Sequence, residues 1–310
     1  MSEKKTKKAR RPSGSSVTSN LIRKPIQRWA PLFILPTFLC FCIGFIWPFI
    51  QGIYLSFCNF MTPKDAKFVG LSNYIKAFQD PSFGRAFWNT AGFAVVSIVL
   101  INVCAFAIAY ALTQTMRGAN LFRTVFFMPN LIGGVVLGYI WSMIFDGILQ
   151  RYGTYLEANA TYGFWGLVIL VAWQQIGYMM IIYIAGLQAV PGDMLEAAKI
   201  DGANGWQTLT KVIIPNVMPS ITICTFLTLT NSFKMFDQNL ALTAGNPITT
   251  LADGSKIRAT ELLALNIYNT YTISKDWHGV AQAKAVIFFF LVAALALTQL
   301  YATRSKEVQQ

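Results

Sequence analysis

The sequence has few charged residues for its length. Lys, Arg, Asp and Glu make up 12% of its 310 residues, whereas soluble globular proteins carry about 25%. The shortage is concentrated in long uncharged runs, and hydrophobic residues reach 55% of the chain. This composition excludes an ordinary soluble domain and indicates a chain that lies mostly within a membrane.

Catalytic and redox chemistry also has little to build on. The sequence contains no GxxxxGK[ST] phosphate-binding loop, so we expect no ATP hydrolysis by this chain. No group of His, Cys and carboxylate residues has the spacing of a metal or catalytic site, and we expect no metal or cofactor in this chain. The five cysteines lie in or beside hydrophobic runs and are interpreted as small apolar residues. The single histidine, His278, is interpreted as a membrane-interface residue.

Ionisable residues are scarce inside the hydrophobic runs. Proton-coupled carriers use carboxylates within the membrane, and only Lys234, Asp237 and Lys284 come near it here. No internal repeat of the kind found in many carriers is visible. A secondary carrier or channel remains an alternative. A membrane-embedded enzyme is a further alternative, which the missing catalytic clusters disfavour.

Six uncharged runs reach or approach the length needed to cross a bilayer. A hydrocarbon core of about 30 Å requires roughly 20 helical residues, and backbone polar groups in lipid must be satisfied within each segment. The sequence therefore predicts an all-α polytopic membrane protein with about six transmembrane helices, near 31–56, 87–113, 124–146, 164–188, 215–237 and 280–302.

Basic residues determine the expected orientation. The segment 1–28 holds nine Lys and Arg against one acid. With this segment inside, inner segments carry 15 Lys and Arg and outer segments carry eight, as the positive-inside rule requires. We expect a disordered cytoplasmic tail at 1–28, a transmembrane domain at 29–303 and a cytoplasmic tail at 304–310. Nucleic-acid binding by the first tail is disfavoured, because it has no interleaved aromatic residues.

One charged, turn-rich segment at 189–215 separates two hydrophobic runs on the predicted cytoplasmic side. Asp193 is a good N-cap, and Glu196 three residues later fits a capping box. Gly202 stands where a left-handed residue ends many helices. We therefore predict a short surface helix between these residues, then a turn and a second short helical piece, with Pro215 starting the fifth span.

The same segment carries a family resemblance. Glu196-Ala197-Ala198, then Gly202 after three residues, then nine residues to Val212-Ile213-Ile214-Pro215, resembles the EAA motif of ABC importer permeases. The stretches WQQIGYMM, SFKMFDQNLALTAGNP and GVAQAKAVIFFF are similar to maltose-type sugar permeases. The match covers roughly residues 30–305 and is closer to the compact six-span members. A merely structural loop is the alternative interpretation of the motif.

The resemblance implies a type I ABC importer permease fold and ATP-driven import of a sugar, with an oligosaccharide expected. It implies three kinds of protein partner at a bacterial cell membrane: a second homologous permease, two ATPase subunits that bind ATP and Mg, and an extracellular solute-binding protein. The short helix would fit a cleft on an ATPase subunit. The residues expected to couple the two proteins are Glu196, Ala197, Ala198, Asp201 and Gly202.

Polar and aromatic residues at similar predicted depth suggest where a sugar would bind. Sugar pockets combine aromatic walls with a few placed polar groups. The fourth span offers Trp173, Gln174 and Gln175, and the fifth offers Thr228, Asn231 and Ser232. Alignment with the maltose permease points to these positions and adds Asn130. The alternative is that these polar groups hold helices together.

Three glycines lie near the middle of the predicted third span, at 133, 134 and 138. Small residues four positions apart let helices approach closely. Close packing is the favoured interpretation, and direct contact with substrate is the alternative.

Overall fold

A computed structural model describes residues 29–114, 117–251, 254–273 and 275–304. The tails predicted at 1–28 and 304–310 lie outside these residues, apart from the backbone of Arg304. The chain divides into two compact units, Met1–Tyr54 and Leu55–Gln310.

The first unit contains most of helix α1, Trp29–Ser56, which ends two residues into the second unit. A π-helical turn, Cys42–Ile46, interrupts α1. Phe41, Phe45 and Phe49 stack along it with ring centroids 5.2 and 6.1 Å apart. Most of its large apolar side chains, among them Phe33 and Ile43, are exposed, as expected for a helix that contacts lipid tails.

The second unit consists mainly of helices. They are α2 (Ser72–Gln79), α3 (Pro81–Thr113), α4 (Ala119–Phe127), α5 (Gly134–Leu149), α6 (Ala160–Gln188), α7 (Gly192–Ile200), α8 (Gly205–Phe233), α9 (Asp237–Thr243), α10 (Leu263–Ile273) and α11 (His278–Arg304). Two short antiparallel hairpins lie between helices. They pair β1 (Cys58–Asn59) with β2 (Lys67–Phe68), and β3 (Ile248–Thr250) with β4 (Lys256–Arg258).

The prediction of about six spans is confirmed by length and composition. Within the described residues, α1, α3, α6, α8 and α11 are each long and apolar enough to cross a membrane. A bent pair of helices, Ala119–Leu131 followed by Gly134–Tyr152, supplies a sixth span if it is counted as one. The architecture is therefore all-α apart from the two hairpins.

The prediction of one continuous third span at 124–146 is wrong. The two halves meet at an angle of 100°. Pro129 lies in a 3-10 turn at the end of the first half, and Gly133 has an extended backbone where the second half begins. Proline cannot supply the backbone N–H that a continuing helix needs, and the chain leaves the helical conformation at Gly133, with φ −61° and ψ 141°.

Two details of the segment 189–215 also differ from the prediction. The short helix begins at Gly192 after Pro191, and Asp193 lies in its first turn and forms no cap. A capping box forms later, where Asn204 and Gln207 exchange hydrogen bonds of 2.8 and 2.9 Å. This box starts α8 at Gly205, ten residues before the predicted Pro215, because a π-helical stretch continues the helix through the intervening residues. The same helix ends at Phe233, earlier than the predicted residue 237.

Helices α3, α6 and α8 form the core of the second unit. Ile101 on α3, Met179 on α6 and Cys224 on α8 are fully buried in one hydrophobic cluster. Gly177 lets α6 approach the backbone of α4 so closely that an added Cβ would collide with the Phe126 carbonyl. Helix α6 is thus fixed on several sides, which makes it a rigid support for the polar residues that it carries.

Candidate functional site

Helix α7 lies between two spans and is held rigidly at its C-terminal end. Gly202 has the left-handed φ of 74° that the sequence predicts. Its N–H bonds to the Lys199 carbonyl at 3.1 Å, and the Ala203 N–H bonds to the Ala198 carbonyl at 2.9 Å. These two bonds form a Schellman motif, which satisfies carbonyls that a helix end otherwise leaves unpaired. The short helix and its fixed end are therefore confirmed.

The two faces of α7 differ in what they contact. Leu195 packs against the hydrophobic core, and Ala198 beside it is only 8% exposed. Glu196 and Ala197 are exposed on the other side, as are Asp201 and Gly202 at the end. Ala198 therefore packs within the chain, whereas the remaining predicted coupling residues are accessible to a partner.

Apolar side chains that the sequence reasoning did not single out extend this accessible surface. Ile200 is 86% exposed and Trp206 is 72% exposed, and Met194 is 43% exposed. We call Met194, Glu196, Ile200 and Trp206 the α7 surface. The apolar residues among them gave no signal in the sequence, because an apolar residue near a span is first assigned to the membrane. An apolar surface rimmed by charged residues is typical of a protein interaction site.

At the far end of α8 from α7, a pocket of about 340 Å³ brings together two of the predicted sugar-binding residues, Gln175 and Asn231. The other lining residues are Lys234, Met235, Phe236, Asp237 and Gln238. We call this the α6–α9 pocket. The Gln175 side chain is 8% exposed, and its Oε1 forms no hydrogen bond to any described residue. A buried amide oxygen without a partner favours a ligand that donates a hydrogen bond there.

Gln174 has a structural role that the sequence left open. Its Nε2 donates to the Ile132 carbonyl at 3.1 Å, at the break between α4 and α5. Its Oε1 accepts a bond of 2.8 Å from Gln238, which lines the α6–α9 pocket. Gln174 therefore satisfies a carbonyl released by the broken span, and it contacts the pocket through Gln238.

Thr228 and Ser232 are buried, at 0% and 2% exposure, and neither lines the pocket. Thr228 donates to the Cys224 carbonyl and accepts a bond of 3.3 Å from Asn102 on α3. The Tyr183 hydroxyl of α6 donates to the same Asn102 at 2.7 Å. This network joins three helices, so at Thr228 the contacts favour the alternative in which polar groups hold helices together.

Two further predicted residues lie away from the pocket lining. Trp173 is 44% exposed and packs edge to face against Trp141, with ring centroids 5.5 Å apart. Asn130 lies half-buried in the 3-10 turn that ends the first half of the third span. The sequence does not predict the lining residues Lys234, Asp237 and Gln238, although Lys234 and Asp237 are among the few ionisable residues near the membrane.

Close packing explains two of the three glycines of the third span. A Cβ at Gly138 would lie 2.5 Å from the Ala241 Cβ of α9, and one at Gly134 would lie 2.8 Å from Gln238. Nothing lies within 4 Å of a Cβ at Gly133. Helix α9 thus packs directly on α5, and this contact positions Gln238 and Asp237 at the pocket.

A second polar cluster surrounds Lys284, six residues into α11. Its ammonium group is buried and donates to Asp80 at 2.6 Å, Asn266 at 3.0 Å and Thr270 at 2.7 Å. Glu261 accepts bonds from Asn266 and Asn269 nearby. Glu261 lies outside the spans, and its burial raises the pKa of its carboxyl, partly offset by these two bonds. The cluster joins the starts of α3, α10 and α11.

The bundle of apolar helices, the short exposed helix between two spans and a polar pocket at the opposite end together define a membrane-spanning transport component. Comparison with known proteins identifies its family. The model of the family "Binding-protein-dependent transport system inner membrane component" matches residues 106–306, and the chain belongs to this family.

Curated relatives cover nearly the whole chain. The "Probable starch degradation products transport system permease protein AmyD" of Thermoanaerobacterium thermosulfurigenes is 43% identical over 91% of this chain and 96% of its own length. The "Multiple sugar-binding transport system permease protein MsmF" of Streptococcus mutans is 30% identical over 93% of this chain and 99% of its own.

A solved structure has the same fold. A permease chain of a bacterial alginate ABC transporter, solved in complex with an alginate pentasaccharide-bound periplasmic protein, matches with a TM-score of 0.74. The match covers 91% of this chain and 96% of that chain at 18% identity. The predicted type I ABC importer permease fold is thereby confirmed.

Proposed function

We propose that this chain is the permease subunit of an ATP-driven importer that carries a sugar across a bacterial cell membrane. The expected sugar is an oligosaccharide. The observation that carries the proposal is helix α7 in a chain of this family. This helix is exposed, ends in a Schellman motif and has the residue spacing of the EAA motif. The relatives named for starch degradation products and for multiple sugars support a carbohydrate substrate. The same family membership favours an importer permease over a secondary carrier or channel.

The α7 surface is the contact with an ATPase subunit in this proposal. Ile200 inserts its exposed side chain into an apolar cleft of the ATPase, and Glu196 and Asp201 contact the rim. The Schellman end at Gly202 makes α7 move as one body with α6 and α8. ATP and Mg bind to two such ATPase subunits, and this chain hydrolyses nothing. Both termini lie in the cytoplasm, on the α7 side.

The remaining partners complete the pathway. A second homologous permease forms the other wall of the pore, and an extracellular solute-binding protein delivers the sugar at the end opposite α7. The family description supports dependence on a binding protein. In the α6–α9 pocket, Gln175 Oε1 accepts a hydrogen bond from a sugar hydroxyl, Asn231 contributes a second polar group, and Phe236 contributes an apolar wall.

Replacement of Ile200 by aspartate tests the coupling contact. Because Ile200 is 86% exposed, the substitution should leave insertion and expression unchanged while it prevents the ATPase from copurifying in mild detergent. Ile200→Val is the matched control and should retain the ATPase. Normal copurification and uptake with Ile200→Asp would refute the role of the α7 surface.

Alanine substitutions test the sugar site. Gln175→Ala and Asn231→Ala should assemble normally and keep ATPase activity stimulated by the loaded binding protein. Sugar uptake should fall about three- to tenfold for each, the value of one lost hydrogen bond of about 1 kcal/mol. Thr228→Val is the comparison, since it should lower the yield of folded protein instead. Full uptake by both alanine variants, or failed assembly of both, would contradict the assignment.

A further inference from the structure

Helix α10 lies between two cavities. Its residues Asn266 and Asn269 line the first, and Asn266 also accepts a hydrogen bond from Lys284 in the polar cluster. Its residues Tyr268 and Tyr271 line the second, a pocket of about 380 Å³. This volume is within the range of ligand pockets, about 300–1,000 Å³. The second cavity has no role in the contacts described so far.

The second cavity has aromatic walls and a flat floor. Its rings are Phe236, Tyr268 and Tyr271, its floor includes Ala281 and Ala285 one turn apart on α11, and Gln282 between them supplies an amide. We call it the aromatic pocket. Aromatic rings and small residues present flat apolar surface, and the amide and the two phenol groups can exchange hydrogen bonds. A sugar ring has the same combination of an apolar face and a polar edge.

The walls of the aromatic pocket are held in place before any ligand binds. Phe236 and Tyr268 meet edge to face, with centroids 5.1 Å apart and planes at 63°. Tyr271 stacks on His278 at 4.3 Å, and the His278 ring in turn lies within hydrogen-bond distance of the Met61 carbonyl. Rings that are already ordered lose little conformational entropy on binding, which favours affinity.

Phe236 lines the aromatic pocket and the α6–α9 pocket alike. The two cavities therefore adjoin at this one ring, at the end of α8 that lies away from α7. A chain-like ligand whose one unit contacts Gln175 and Asn231 can place its next unit beyond Phe236.

We propose that the aromatic pocket binds a second ring of an oligosaccharide whose first ring occupies the α6–α9 pocket. The proposal rests on the sugar transport proposed above and specifies substrate length. Tyr268 and Tyr271 contact the apolar face of the second ring, and Gln282 hydrogen-bonds its hydroxyls. A lipid tail is a poorer occupant, because the Gln282 amide would lose its hydrogen bonds to water without replacement.

Uptake of a length series tests the second ring site. The probes are glucose, maltose and maltotriose, which have one, two and three rings, and the transporter is the complete complex in proteoliposomes with its binding protein. Tyr268→Leu keeps apolar bulk and removes the flat ring. The KM for maltose relative to that for glucose should rise about two- to tenfold, the value of one aromatic contact. Tyr268→Phe should restore the ratio, and Tyr155→Leu, an exposed tyrosine outside both pockets, should not change it.

The outcomes separate this proposal from the one on which it rests. If the wild-type complex takes up none of the three sugars, a glucose-based sugar substrate is refuted, and the second ring site proposed for it is refuted as well. If the wild type transports them but Tyr268→Leu changes the KM for every length by the same factor, or for none, the second ring site is refuted while sugar transport stands. An equal loss for all lengths would mark the aromatic pocket as a contact with the partner permease or with lipid.

Discussion

Lys284 permits a quantitative test of how a buried ammonium group is held at the end of a span. All three of its N–H groups have acceptors, at 2.6 Å from Asp80, 3.0 Å from Asn266 and 2.7 Å from Thr270. Lys284→Met keeps an unbranched side chain one heavy atom shorter and removes the donors. It leaves the Asp80 carboxylate without its cation at only 16% side-chain exposure.

The expected loss follows from that geometry. Breaking a buried ion pair from one side costs about 3–5 kcal/mol, and the residual exposure of Asp80 places the expectation near the lower limit, at about 3 kcal/mol. Asp80 has a second role, because its other oxygen accepts the Ser82 N–H at 2.9 Å and caps α3. Asp80→Asn preserves such a cap, since asparagine is as good an N-cap as aspartate.

A double-mutant cycle isolates the pair. With both charges removed, Lys284→Met with Asp80→Asn should lose less stability than the two single variants added together. We expect a coupling energy of about 2 kcal/mol, within the range for residues in direct contact. The assay is an unfolding titration of the purified complex in mild detergent. Additive single effects, or a stable Lys284→Met variant, would refute the view that the ion pair holds α3 and α11 together.

Further substitutions test packing and topology. Gly138→Leu should lower the yield of the complex strongly, because α9 leaves no room for a side chain. Gly133→Leu, at an open position, should not lower it. Equal yields of the two variants would contradict the packing. Gly177→Ala should destabilise the fold by about 1–3 kcal/mol, the usual cost of overpacking, measured by the same titration; unchanged stability would show that α4 can move away. A cysteine at Asn204 in a cysteine-free chain should resist impermeant reagents in intact cells, and labelling from outside would reverse the proposed orientation.

Hydrophobic runs made the spans predictable, because a bilayer leaves helices as the only solution for such segments. The α7 segment was predictable for a different reason. Gly202 has the left-handed backbone conformation that ends the helix, and glycine is the residue type that adopts it most readily. Its spacing from Glu196 matches a family motif. The cap predicted at Asp193 is wrong, because the helix already begins at Gly192 and Asp193 lies inside its first turn. The capping box of this segment starts the next helix, α8, where Asn204 and Gln207 exchange hydrogen bonds.

The broken third span was predictable in part. Pro129 and Gly133 mark a discontinuity within an uncharged run. Mean hydropathy over a long window does not register such single positions, so the run is predicted as one span. Contacts between distant segments gave no signal at all. Nothing local to Lys284 identifies Asp80 as its partner. The sequence places Thr228 and Gln174 at similar depth in the membrane, but depth alone does not show that Thr228 faces Asn102 on another helix.

The break in the third span and the α6–α9 pocket are parts of one hydrogen-bonded unit. A bend inside a membrane frees backbone carbonyls, which other polar groups must satisfy. Gln174 satisfies the carbonyl of Ile132, and Gln238 from the pocket wall binds the same amide. A sugar hydroxyl that draws Gln238 into the pocket would remove one of the two bonds that orient Gln174. Under the proposed function, a sugar hydroxyl and Gln174 would therefore compete for the Gln238 amide, and sugar binding would remove one support of the side chain that satisfies the bend.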